Sequence, residues 1–407
     1  MAVTSGAGSN PQRRIIIGAV VVVIVAAALG VAWKLSSTTQ TAVATSAPGT
    51  SPTPTVPGAT ATLPPTAPPP TPAPTPTLVA DPLTGLMVTA AQAQQHPIAV
   101  MIDDHLDARP QSGFNAASVV WQAPAEGGIP RYMLIFQSTI PNAVGPIRSA
   151  REYYVEWAAE WHAMYVHFGG SSQALATLRS KGGGAWVYNA DGFRWSPTYM
   201  WRVTFRVIPH NVYTDGAHLR ALAAKIKAMD GPITAAWTFA PDATPDQRPT
   251  GGRITIVYPY ETIQYRYDAG SNTYLRFIKQ TLGGGAFQAQ IDAADKTQVA
   301  PKNVVILRMH FGPLYAVDPH HRLEASDVGH GDAWISTNGV TVHGTWSKAS
   351  VTAPTLLFGP DGSPITLTAG QTFVQVLTLD YPYTIKNGTL PAAAASPQPS
   401  PSAMPTP

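Results

Sequence analysis

The chain has no cysteine in its 407 residues. That excludes a cysteine nucleophile, a thiolate metal site and the lipid-modified cysteine that anchors bacterial lipoproteins. Charge is also scarce. Asp, Glu, Lys and Arg make up 12% of the chain, against about 25% in an ordinary soluble domain. The formal net charge is only +3 and no run of five basic residues exists, so no nucleic-acid partner is expected. Catalytic signatures are missing as well. There is no HExxH, no GxSxG and no ordered Ser-His-Asp set. Gly182-Gly183-Gly184 and Gly283-Gly284-Gly285 lack the strand, lysine and spacing of a phosphate-binding loop. His320, His321, His330 and His343, with Asp318, Glu324 and Asp327, lack metal-ligand spacing and read as loop residues. The expectation is therefore no metal and no cofactor.

Proline and long apolar stretches, by contrast, are concentrated at the N-terminal end. Ile15 to Trp33 is a 19-residue run without charge, which as a helix spans roughly 28 Å, close to a bilayer core. Arg13 and Arg14 precede it, a positive flank that favours a cytoplasmic N-terminus. The run is too long for a signal-peptide core, and the nearest small-x-small site, Ala42-Val43-Ala44, lies well past it. We read 1–14 as a cytoplasmic tail and 15–33 as a single transmembrane helix, placing the rest outside the cytoplasmic membrane. From Leu35 to Ala80 no residue is charged, and 46–78 holds 12 prolines. Segment 34–80 therefore reads as a disordered, partly polyproline-II stalk. The tail 391–407 has the same composition.

The remaining roughly 310 residues suffice for two cores of ordinary size. Pro97–Asp103, Ala117–Ala123, Arg131–Thr139 and Met164–Phe168 read as strands. Tyr153, Trp157 and Trp161 recur every four residues and predict a helix over Ser149–Trp161 with Ser149 as its cap. Further helices are predicted over Ser172–Ser180 and from Asp215 to about Met229. Alternating strands and helices make 81–233 an α/β or α+β domain. Beyond the Pro- and Gly-bearing stretch 234–250, strands dominate. Gly270-Ser271-Asn272, Asn338-Gly339 and Pro360-Asp361-Gly362 each mark a turn between strands. Segment 250–388 reads as a mostly antiparallel β domain.

The densest polar constellation lies in the first domain. Asp103 ends the first strand, Arg109 follows in a loop, and Glu126 and Arg131 flank the start of the third strand. Arg148, Ser149 and Arg151 stand at a predicted helix start, where free N–H groups and two guanidiniums suit an anion. His167 ends the fourth strand. Arg109, Arg131, Arg148, Ser149 and Arg151 are thus candidate anion-binding residues, with Asp103, Glu126 and His167 in support. The alternative is a self-neutralising network of arginines and carboxylates, and no catalytic residue is assigned.

These segments resemble the YerB-like family of bacterial cell-envelope proteins, a family of unknown function. The resemblance rests on Val100–Asp103 with Arg109–Gly113, Glu126–Ile129 with Arg131, Val144–Arg151, Tyr165–His167 with Gly169–Ser171, Gly344–Lys348 and Gly370–Phe373. It implies a two-domain body outside the cytoplasmic membrane, commonly on a lipid anchor that helix 15–33 replaces here. Where the family pattern often has an amide, this chain has Asp104. A looser similarity of pattern links the acidic strand end and Pro-x-Arg segment to the LytR-CpsA-Psr phosphotransferases. Two functions follow as expectations. The first is a non-enzymatic envelope protein that binds a wall polymer, a lipid-linked precursor such as a polyprenyl pyrophosphate, or an envelope protein. The second is an enzyme of phosphoryl or glycan transfer working through the arginines.

Overall fold

Ten strands from both halves of the body hydrogen-bond into one sheet in the computed structural model, which describes residues 77–390 apart from 282 and 315–317. The run 15–33, nearly all of the stalk and the tail lie outside the described residues. Among the described residues no helix is long and apolar enough to cross a membrane. The chain is already a strand at Leu78–Ala80, paired with Met87–Thr89.

The first half supplies β1 (Ile98–Asp103), β2 (Val119–Ala123), β3 (Arg131–Phe136), β4 (Met164–His167) and β5 (Tyr188–Asp191). The second supplies β6 (Arg253–Val257), β7 (Glu261–Asp268), β8 (Thr273–Gln280), β9 (Gly284–Ala289), β10 (Asn303–Arg308), β11 (Gly329–Thr337), β12 (Val340–Lys348), β13 (Leu356–Phe358), β14 (Thr372–Leu377) and β15 (Tyr383–Lys386). The large sheet has the order β13-β12-β11-β10-β14-β2-β3-β1-β4-β5, and the smaller one β9-β8-β7-β6-β15. The body is thus β-rich with few helices. The smaller sheet is antiparallel throughout. The second half nevertheless departs from its mostly antiparallel reading: Thr366–Thr368 pairs parallel with Thr238–Ala240, and the large sheet has a parallel junction. β10 pairs parallel with β14, and β14 parallel with β2, which welds the two halves into one sheet.

Strands in the middle of such a sheet are covered on both faces, so they read as unbroken apolar runs. β1 shows the division. Ala99 and Met101 join Trp121, Tyr153, Tyr154 and Trp157 on one face. Ile98, Val100 and Ile102 join Leu219, Leu222, Ile256 and Tyr265 on the other. The first face carries α1 (Glu152–Ala159) and α2 (Ser172–Lys181), and the second carries α3 (Gly216–Lys225) and the smaller sheet. Ser171 caps α2 by accepting from Ala174 N–H, and Asp215 caps α3 by accepting from His218 N–H. Helix α1 corrects the sequence reading. Its cap is Arg151, in extended conformation and without a side-chain capping bond, so Ser149 lies two residues before the cap. The Asn338-Gly339 hairpin is as expected: both residues have positive φ, 48° and 78°, and join β11 to β12.

Candidate functional site

Strands β1, β2 and β4 run the same way, because β3 pairs antiparallel with both β1 and β2 while β4 pairs parallel with β1. Their carboxyl ends therefore share one edge of the sheet. Crevices outside such ends are common ligand sites in α/β sheets. Asp103 and His167 end two of these strands, and Arg131 begins the antiparallel one directly opposite Asp103. The segment Val144–Arg151 is laid along the same edge. Asp103 N–H donates to Pro146 O at 3.0 Å and Arg148 N–H to Met101 O at 2.9 Å. Gly145 is required there, since a Cβ would stand 2.7 Å from the Tyr213 ring and 2.8 Å from Val212 O.

The candidate arginines divide among three places. Arg109 turns inward. It bonds Asp104 Oδ1 at 2.7 Å and also Glu261, which begins β7. Gln122 donates to Asp104 Oδ2 at 3.0 Å and Glu261 Oε1 at 2.7 Å. Its own carbonyl oxygen accepts from Arg276 at 2.6 Å. Asp104, Gln122, Glu261 and Arg276 are fully buried. Burial pushes Asp104 well above the usual carboxylate range, and Glu261 adds to the push although Arg109 opposes it. Burial acts on Glu261 in the same direction, but Arg109 and Arg276 outweigh it and hold the group low. The two carboxyl groups are thus shifted in opposite directions, Asp104 upward and Glu261 downward, and are joined by a side-chain hydrogen bond. Arg276 lies over the rings of Tyr132, Tyr265 and Phe373, which disperse its charge.

Arg148 takes the second place. Its Nε is 3.3 Å from Asp103 Oδ2, and the same oxygen accepts from His210 Nδ1 at 2.7 Å. The third place gathers Arg131, Arg151, Ser149 and Glu126. Arg151 Nε donates to both Glu126 oxygens, at 2.5 and 2.7 Å. Arg131 stands 3.8 Å from Glu126 and donates to Ser149 O at 3.1 Å. These residues line an open cavity of about 530 Å³ with Ser171, Ser172, His320 and Arg322. The cavity thus meets the N-terminus of α2, where free N–H groups point outward. Arg322 is tied to Asp318 at 2.9 Å and reaches Ser172 Oγ at 2.6 Å.

Charge in this cavity is unevenly matched. Glu126 serves two arginines. Burial, then Arg151, push Arg131 down to about 10, and Glu126 offsets this only in part. Burial also pushes Glu126 upward, but Arg151 and Arg131 outweigh it and hold the carboxylate low. His167 is absent from the cavity wall. It is buried, with Nδ1 2.7 Å from Gly169 O and Nε2 2.8 Å from Asn189 Oδ1, and so braces the turn that opens α2.

Two domain models cover this architecture. The N-terminal domain of "Protein of unknown function (DUF3048)" matches residues 83–229, and its C-terminal domain matches 254–374. The chain belongs to this family. It is 35% identical over 205 residues to "Putative lipoprotein YerB" of Bacillus subtilis (strain 168), covering 48% of this chain. The match spans 59% of that relative's length. The crystal structure of YerB protein from Bacillus subtilis superposes with a TM-score of 0.65 at 26% identity. That match covers 75% of this chain and 99% of the solved one.

Several residues of these sites went unnoticed in the sequence. Arg276 had a signal. It alternates with Tyr274 and Ile278 along β8, so a charged side chain sits on an apolar face. Arg322 and His210 had none, because each reaches its site from a loop far along the chain.

Proposed function

We propose that this protein is a non-enzymatic, extracytoplasmic envelope protein, and that the cavity between Glu126, Arg131, Arg151 and Arg322 binds an anionic group of a wall polymer or lipid-linked precursor. One observation carries the proposal. Two guanidiniums on the wall of an open cavity share a single carboxylate, and Arg131, the farther of them at 3.8 Å, is left under-neutralised. A phosphate or carboxylate entering the cavity would relieve that imbalance. It would meet bidentate donors and the first N–H groups of α2. The expected anchor at 15–33 and the lipoprotein name of the Bacillus relative support placement outside the cytoplasm.

The transfer-enzyme reading needs the arginines around one reacting group. Arg109 and Arg148 instead face their own carboxylates elsewhere, which favours the binding reading. The test is titration of the full chain with a polyprenyl pyrophosphate and with soluble anionic wall fragments, followed by calorimetry. Saturable binding weakened at least tenfold in Arg151→Ala supports the proposal. No binding of either probe, or equal binding by the variant, contradicts it.

A further inference from the structure

We propose that His105, Asp107 and His210 form a site for one divalent transition-metal ion of the zinc class, separate from the anion cavity. Among the described residues, this is the group whose nitrogen and carboxylate ligand atoms all lie within 4.8 Å of one another. His105 caps the short turn Leu106–Ala108 after β1, Asp107 lies within that turn, and His210 arrives from the loop before Val212–Tyr213. The two imidazoles stack with centroids 4.4 Å apart.

Each atom has an assignable role. His210 Nδ1 faces Asp103 Oδ2 at 2.7 Å, which leaves Nε2 for the metal. His105 Nδ1 and Asp107 Oδ2 are 3.5 Å apart. Two ligands about 2.1 Å from a tetrahedral ion stand roughly 3.4 Å from each other, so the spacing matches chelation, and the stacked, partly exposed His105 ring would turn to bring its lone pair onto the ion. The ion would take the His105 lone pair that now accepts Asp107 N–H at 3.2 Å. Two imidazoles and one carboxylate suit zinc and its neighbours better than magnesium or calcium, which prefer all-oxygen shells.

Asp103 completes the arrangement from behind. A carboxylate on the far nitrogen of a ligating histidine fixes its tautomer and orientation. Asp103 is itself held by Arg148 Nε at 3.3 Å and by His105 N–H at 3.1 Å. Arg206, the other cation nearby, donates to the carbonyls of Asp107, Arg109 and Pro110 and so fixes the loop backbone. The site is open: the Asp107 and His105 side chains are 57% and 34% exposed, leaving a fourth position for water or a ligand donor atom.

The experiment uses the full chain without a polyhistidine tag, stripped with chelator and titrated with Zn²⁺ alone against a chromophoric competitor. Mass spectrometry of the dialysed protein counts bound metal. One zinc per chain is expected, with affinity at least tenfold lower in His105→Gln and in Asp107→Asn. Asp103→Asn, which touches no metal, should weaken binding about 10–100-fold. Asp107→Asn alters an exposed side chain, so its circular dichroism should match the parent. No stoichiometric zinc, or unchanged affinity in both His105→Gln and Asp107→Asn, overturns the proposal.

Discussion

Arginines gather in two places, Arg109 and Arg276 in an interior seam and Arg131 and Arg151 at the rim cavity, and their surroundings differ. In the seam, Arg109 and Arg276 are enclosed by Asp104, Glu261, Gln122, Tyr265 and aromatic faces. In the cavity, Arg131 and Arg151 have one carboxylate between them and open space in front. Residue type alone therefore says little about role. Enclosure makes the first pair part of the fold, and the open space in front of the second is what the proposed anion site rests on.

The largest effect should come from breaking the seam. Arg276→Ala removes a guanidinium bonded to three acceptors, on Tyr265, Gln290 and Gln122, and surrounded by three rings, leaving those acceptors unpaired. Loss of a buried pairing of this kind destabilises by about 3–5 kcal/mol, measurable as a lower urea midpoint. Arg276→Met, which restores apolar volume, should lose distinctly less.

A third region sharpens the contrast, because there carboxyl groups crowd together. Glu152, Glu156, Glu324 and Asp327 line a cavity of about 570 Å³. Burial, then Asp327, push Glu156 up to about 8, and burial also raises Asp327. The folded state thus keeps a proton that the unfolded chain releases near pH 4.5. That stabilisation is whole below about pH 4.5, fades as pH rises, and is gone above about pH 8. Glu156→Gln should flatten the profile and be more stable than the parent at pH 8 by on the order of 1–3 kcal/mol. Melting curves between pH 5 and 9 that run parallel for parent and variant would remove this account of the pair.

Smaller effects belong to the rim. Ser171→Ala deletes the α2 cap and should cost about 1 kcal/mol of stability by chemical unfolding. Arg151→Ala should change stability least, by no more than about 1 kcal/mol, since Arg131 remains beside Glu126. A loss near that of Arg276→Ala would erase the distinction between the two regions.

Much of this was legible in the sequence because local chemistry decided it. Apolar runs marked β1 to β4, Ser171 and Asp215 marked their helices, and Asn338-Gly339 marked its hairpin. Ser149 misled because Arg148 N–H and Arg131 bind its neighbourhood as extended chain, delaying α1 to Glu152. The parallel seam of β10, β14 and β2 was hidden, since strand order depends on contacts far apart in sequence. The same holds for the site. Candidate arginines could be named from their spacing, but their division into three places depended on partners such as Glu261 and His210 arriving from elsewhere.

The most direct measurement replaces the internal counter-ion in each region and asks whether an added anion can substitute for it. Glu126→Gln and Glu261→Gln, as full chains, would be melted in rising inorganic pyrophosphate. Both should start below the parent. Glu126→Gln should regain stability with pyrophosphate, more steeply than the parent, while Glu261→Gln should not. Equal responses in the two variants, or none in Glu126→Gln, would contradict the claim that the rim cavity is an anion site.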